Sequence, residues 1–333
     1  MQATHRRGIL AAAAAGVLGG LAPPAARPAG AQGAGWPTGP VRIVVPAPPG
    51  AFNDALARLV ADQLTPALGQ PCVVENRAGA GGSLGTREVA QARPDGQTLG
   101  IANTATLAIN PALYPNAGYD PLKDLAPLAV CARIMTVLVV SPKLGVNSVQ
   151  ELLALAKARP GRLDYASAGS GGSTHLAFEL LKLRAGVDIT HVPYRGAAPV
   201  VTALLAGDIP IAFEGVPNLL PHLQSGALKA LAVTGSARDP ALPEVPTLQE
   251  AGVPGYEMYV WFGFVAPAGV AAPVRERLSR EILRIVTAPD TAERIRRQGV
   301  EVWARGPDEF AALIRSEQAK FAEVVRVAGI RVE

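Results

Sequence analysis

The chain has 333 residues, 49% of them hydrophobic and 17% charged, with 31 Lys and Arg against 27 Asp and Glu. Arg6, Arg7 and Arg27 carry most of the net charge of +4; residues 32–333 hold 28 basic and 27 acidic side chains, a net +1. This balance, with no Lys/Arg stripe interleaved with aromatics, excludes a nucleic-acid-binding surface, and the length predicts two domains.

Residues 1–31 read as a secretory signal peptide. Arg6 and Arg7 precede the uncharged stretch Gly8 to Leu21, too short and too rich in Ala and Gly for a membrane span, and Ala29, Gly30 and Ala31 offer a cleavage site before Gln32. The paired arginines resemble a twin-arginine export signal, with the general secretion route as the alternative. An exported, periplasmic protein is expected. Cys72 and Cys131 lie in separate apolar segments; export permits a disulfide without requiring one, and two buried free thiols are the favoured reading.

Val41, Ile43, Val44 and Val45 make a β-branched run that reads as a buried parallel strand ending at Pro46. Pro46, Pro48, Pro49 and Gly50 then force an extended loop, and from Asp54 onward Leu56, Leu59, Val60 and Leu64 fall at helical spacing. The unit is strand, rigid loop, helix. Such a helix start aims unpaired N–H groups at the crevice beyond the strand, so the loop is a candidate wall of an anion site, or else an ordinary connection.

Gln70 to Glu75 reads as a second strand, followed by the glycine-rich run Asn76 to Gly85. A dinucleotide fingerprint counted from Gly79 meets Leu84 where a glycine is required, so that reading fails. The strand Thr98 to Ala102 carries Asn103, Thr104 and Thr106 at its tip, either beside the opening loop or as turn caps. Leu125 to Val140 is apolar without a 3.6 period and reads as two strands back to back or one strand crossing between domains, and as the first interdomain crossover. Ser148 and Glu151 form a capping box for the next helix.

Leu163 to Ala166 predicts a strand, Gly169 to Thr174 a loop of glycines and hydroxyls, and His175 to Ala185 a helix. That loop at a helix start is a ready anion cradle and mirrors the opening one. Neither Ser170 nor Ser173 lies in G-x-S-x-G, and His5, His175, His191 and His222 have no partners at metal-ligand spacing. No catalytic residue, metal or cofactor is expected, and His175 reads as a packed or capping residue rather than a general base. Three further strands, Ile189 to Val192, Ile209 to Phe213 and Leu228 to Thr234, complete a second domain, with Tyr194, Arg195 and Gly196 after the first and Glu214 after the second. Arg238 to Tyr256 is a Pro/Gly-rich return. The strand Tyr259 to Val265 and the helices Pro273 to Val286, Asp290 to Gln298 and Pro307 to Val327 close the chain, and no internal repeat is visible.

The segments VVPAPPG with Asp54, VVENRAGAGGSLGT, ARPDGQTL, YASAGSGGSTHLAFELL, HVPYRGAAP, LKALAVTG, LPEVPTLQEAG and PGYE together resemble the extracytoplasmic solute receptors of tripartite tricarboxylate transporters, the Bug or TctC family. The resemblance runs almost end to end after the leader. It implies an α/β fold, a two-lobed periplasmic binding protein of type II (Venus flytrap) with two open α/β sheet domains, one over 32–133 plus 255–333 and the other over 134–254. It implies a monomeric receptor, not an enzyme. Such a receptor binds a small carboxylate (a di- or tricarboxylate, an aromatic acid or an amino acid) and delivers it to a membrane permease of one large and one small subunit. A ligand-binding sensor without a permease is the alternative, a periplasmic hydrolase the less favoured one.

Carried onto this chain, the resemblance puts ligand contacts at Pro48, Pro49, Gly50, Ala51, Asn53 and Asp54, at Asn103 and Thr104, at Ser170, Gly171, Ser173, Thr174 and His175, and at Tyr194, Arg195 and Glu214. Backbone N–H groups and the hydroxyls of Ser170, Ser173 and Thr174 are expected to hold the carboxylate, with Arg195 structural. Three positions depart from the family pattern. Ala51 stands for a second glycine, Pro210 for a usual aspartate, and Glu214 places an acid near the cleft that would repel one end of a diacid or pair with an amino group.

Overall fold

A computed structural model describes residues 35–114 and 116–330; the signal-peptide stretch lies outside them. In chain order the elements are β1 (Val41–Val45), α1 (Phe52–Leu68), β2 (Cys72–Asn76), α2 (Ser83–Ala90), β3 (Thr98–Asn103), α3 (Asn110–Leu113), β4 (Leu125–Ile134) and β5 (Thr136–Val140). They continue with α4 (Val149–Ala158), β6 (Asp164–Ser167), α5 (Ser173–Ala185), β7 (Thr190–Pro193), α6 (Ala197–Ala206), β8 (Ile211–Gly215), α7 (Val216–Gln224) and β9 (Lys229–Val233). The last are β10 (Val260–Pro267), α8 (Ala272–Thr287), α9 (Pro289–Arg296), β11 (Glu301–Arg305) and α10 (Pro307–Ala328).

The strands form two mixed sheets, ordered β11-β4-β10-β3-β1-β2 and β7-β6-β8-β5-β9. In the first, β1 is parallel to both β2 and β3, while β10 runs antiparallel to β3 and β4. In the second, β6 is parallel to both β7 and β8, while β5 is antiparallel to β8 and β9. Each sheet is thus a strand–helix–strand–helix–strand unit with its first strand in the middle, extended by antiparallel strands. The sequence shows no repeat, yet the topology repeats.

The apolar stretch Leu125 to Val140 does split into two strands, with Met135 alone between β4 and β5. The chain passes between the sheets there and again between Val233 and Val260. Register fixes which ends meet. Because β4 runs in the sense of β3 and β1, its carboxyl end lies at their carboxyl ends, and Thr136 at the start of β5 pairs with Gly215 at the end of β8. The carboxyl ends of both parallel triplets therefore point at the crossover.

Burial explains the central strands. Val41, Ile43, Val44 and Val45 are all fully buried, as a parallel strand covered on both faces requires. One apolar core runs from Val44, Val130 and Val265 of the first sheet through Phe310, Ile314 and Phe321 of α10 to Phe178 and Phe213 around the second. α10 packs on both β4 and α5, so it braces the two halves. Among the described residues no helix is long and apolar enough to cross a membrane. Cys131 is buried, Cys72 half-buried, and both are free thiols.

Candidate functional site

The loop after β1 is held by a knot of hydrogen bonds around Asp54. Gly50 N–H donates to Asp54 Oδ2 at 3.0 Å, while Asn76 Nδ2 and an Arg58 nitrogen reach Oδ1 at 3.0 and 2.9 Å. Asn76 also donates to the Ala47 carbonyl at 3.0 Å, tying β2 to the loop. The hydrogen bond from Arg58 keeps the Asp54 carboxyl below the usual carboxylate range despite burial. Asp54 is therefore a scaffold of the loop, its oxygens occupied from inside the protein. Gly50 sits at φ 85°, a left-handed conformation that a side chain disfavours.

α1 starts at Phe52, two residues ahead of the expected start, and Ala51 at its N-cap offers no side-chain acceptor. The first-turn N–H groups have no partner within the helix. Asn53, in that turn, is buried, and its Nδ2 donates to nothing among the described residues. Pro48, Pro49 and Gly50 are exposed, with Ala51 half-buried. Phe52 packs edge-on against Phe262 of β10 with ring centroids 4.7 Å apart, an apolar contact beside the loop that patterning did not reveal.

At the tip of β3 the hydrogen bonds include those of a turn cap, one of the two readings the sequence leaves open. Asn103 Oδ1 accepts from Thr106 N–H at 3.1 Å, a turn cap. Thr104, fully buried, accepts from Trp261 N–H at 2.9 Å and donates to the Tyr259 carbonyl at 3.3 Å. Its hydroxyl pins the returning strand β10.

In the second half, the loop after β6 repeats the arrangement. α5 starts at Ser173 rather than His175, with Gly172 as a cap that has no side chain. Thr174 Oγ1 accepts from Ala168 N–H at 3.1 Å, and His175 Nδ1 accepts from Gly171 N–H at 2.9 Å. Both side chains fold the loop back on its own helix, which agrees with reading His175 as a capping residue. Ser170 is exposed and Ser173 half-buried, and neither hydroxyl has a hydrogen bond among the described residues. Tyr194 N–H donates to the Ser167 carbonyl at 2.9 Å, setting the next loop against this one, while the exposed Arg195 makes no ion pair among the described residues. A structural role for Arg195 finds no partner to support it.

Glu214 belongs to β8 itself, opposite Val137, rather than to the loop beyond. Its Oε1 accepts from Gly215 N–H at 2.8 Å and Asn218 Nδ2 at 3.1 Å, while Oε2 is buried without a partner among the described residues. Burial pushes its carboxyl above the ordinary glutamate value. At the crossover, Arg133 forms a forked pair with Glu301 at 2.7 and 2.9 Å and stacks over Tyr259, 4.0 Å from the ring centre. Sequence alone gave no signal for this brace, because its partners come from β4, β11 and the return segment.

The structure thus brings the loops after β1, β6 and β7 to one end of their sheets and sets Thr104 and Asp54 into the supporting framework. Two uncapped helix starts with free N–H groups and hydroxyls suit an anion. No cluster of metal-binding side chains occurs among the described residues. The fold defines a periplasmic-binding-protein architecture: two mixed α/β sheets, joined by crossing strands, with a strand-to-helix loop of each at the crossing.

The model of the tripartite tricarboxylate transporter family receptor matches residues 56–330. Bordetella pertussis Protein BugT is 38% identical over 299 residues, covering 90% of this chain and 92% of BugT. The R. palustris protein Rpa4515, solved with adipate, is 36% identical with a TM-score of 0.76, covering 89% of this chain and 99% of that one. MatC from Rhodopseudomonas palustris, solved with bound malate, is 33% identical with a TM-score of 0.73, covering 87% and 100%. The chain belongs to the tripartite tricarboxylate transporter receptor family, a family of periplasmic solute receptors and not of enzymes.

Proposed function

We propose that the chain is a periplasmic receptor, exported through its leader at 1–31, that binds a small carboxylate between two lobes and delivers it to a permease of one large and one small subunit. The lobes are 32–133 with 255–333, and 134–254. The observation that carries this reading is the pair of uncapped helix starts, α1 and α5, each behind the first strand of its sheet and both at the crossover end. The relatives solved with adipate and malate support a carboxylate as the ligand class.

Magnitudes fit. Micromolar binding needs about 8 kcal/mol. Each hydrogen bond to a charged oxygen contributes roughly 1.5 to 3 kcal/mol and each helix start about 0.5 to 2, so a few donors suffice after ordering costs without an ion pair. The ligand shifts the lobes toward closure because only the closed state offers both sets of donors.

A thermal-shift screen of residues 32–333 against mono-, di- and tricarboxylates, aromatic acids and amino acids tests the reading. A ligand at a hundred times its dissociation constant stabilises by about 2.7 kcal/mol, a shift of several degrees. A shift confined to one acid class supports the receptor and names its substrate. Absence of any shift, on folded protein free of co-purified ligand, counts against it.

A further inference from the structure

Behind the Gly169–Thr174 loop lies a layer that a plain helix start does not require. The imidazoles of His175 on α5 and His191 on β7 stack face to face, 3.8 Å apart and 8° from parallel. Each reaches the loop by its own hydrogen bond. Gly171 N–H donates to His175 Nδ1 at 2.9 Å; since an N–H cannot accept, Nδ1 carries no proton and the ring's proton sits on Nε2, 3.9 Å from Glu179 Oε1. His191 Nε2 shares a 2.6 Å hydrogen bond with Ser167 Oγ, which contacts the Gly169 N–H and carbonyl at 3.3 and 3.2 Å.

We propose that His175 and His191 are positioning residues that keep this loop in its ligand-binding shape only while both rings are neutral, so that capture weakens as the medium acidifies. The inference rests on the loop being part of the carboxylate site. A proton on His175 Nδ1 would set two N–H groups against each other across the present contact, and Gly171, at φ 73°, is free to swing away. A proton on His191 lays a cation on the neighbouring ring. The nearby charges offset it only in part: the Glu179 charge favours a proton on His191 and the Lys182 charge opposes it, and Glu179 Oε1 already accepts from Tyr165 of β6 at 2.7 Å and Lys182 of α5 at 2.8 Å. From β8, Glu214 is tied to Gly215 and Asn218. The end of α10 meets α5 with Val324, Val327 and Ala328, while Glu323 and Arg326 are exposed. Burial lowers both rings, His175 to about 3, so both are neutral at pH 7 and His191 is the first to titrate as the medium turns acid.

The test is calorimetric titration with adipate and malate from neutral to mildly acid pH on the wild-type protein, the double variant His175→Asn with His191→Gln, and His175→Ala. Asn Oδ1 accepts the Gly171 N–H and Gln partners Ser167, but neither side chain takes a proton in this range. With each protein's affinity taken relative to its own value at pH 7, the wild type should lose several-fold more affinity than the double variant by pH 5, while the double variant follows only the ligand's own titration. His175→Ala should bind weakly at every pH. Parallel profiles for wild type and double variant overturn the proposal and leave the carboxylate site standing. Should neither acid bind at any pH, the site reading fails, and the Gly171 amide resonance of nitrogen-15-labelled protein decides the positioning role separately. It should move with the His191 ring in the wild type and stay still in the double variant; an unmoved Gly171 in the wild type overturns the proposal.

Discussion

Glu214 shows how far a single residue could be read from the sequence. The acid stood out because it follows Phe213 near a strand end, but its burial, and the unequal partners of its two oxygens, depend on Asn218 one turn along α7. Its raised pKa means that the folded state favours the protonated form, so a cost to stability appears as pH climbs past the ordinary glutamate value and grows toward the folded one. Glu214→Gln removes that term. Its melting temperature relative to wild type should therefore rise from pH 4 to pH 8 in paired thermal scans, and a pH-independent difference would refute ionisation of this group as the cause. Arg195 is the opposite case, a charge on the surface without a partner among the described residues. Arg195→Ala should leave the melting temperature unchanged but slow carboxylate association several-fold at low salt, an effect that fades at high salt, as stopped-flow titrations would show. Asp54 was legible as the opening of the first helix and as an expected ligand contact, whereas its role as an internal tie required seeing Asn76 and Arg58 converge on it.

At the scale of elements, the hydrophobic runs were sufficient for β1, β4, β5 and β10, because strands buried on both faces leave unbroken apolar stretches. β11 was missed: Glu301 and Arg305 flank half-buried Val302, Trp303 and Ala304 on an edge strand, a mixture no periodicity separates from a loop. α7 was not predicted: it carries Pro221 inside it and Pro217 in its first turn, where proline is tolerated. The turn Ala105–Ile109, wound wider than an α-helix, follows β3 without any signal in its small and branched residues. The glycine-rich run after β2, which failed as a nucleotide fingerprint, has a packing role instead. A Cβ on Gly85 would lie 2.8 Å from the Arg77 carbonyl oxygen and 3.0 Å from Pro46 Cα, so α2 rests directly on both loops. Gly85→Ala should cost about 1 to 3 kcal/mol, seen as a drop of several degrees in melting temperature together with weaker ligand binding. A neutral effect on both would show that α2 does not support the loop.

For the whole molecule, two chain crossings and one bracing helix decide how the halves can move. Thr136 and Thr234 lock the crossing strands by mutual hydrogen bonds of 3.0 to 3.2 Å. Tyr259 is held by Ser236 and by the stacked Arg133. In the proposed function, the binding energy that closes the lobes comes from ligand contacts made by both loops together. The measurement that tests this most directly is calorimetric titration of residues 32–333 with the acid selected by thermal shift, alongside its neutral methyl ester. The account predicts saturable binding near micromolar for the acid, about 8 kcal/mol, and a loss of a hundredfold or more for the ester, roughly 2.7 kcal/mol, because the charged oxygens are what the helix starts hold. Equal affinity for acid and ester would contradict it.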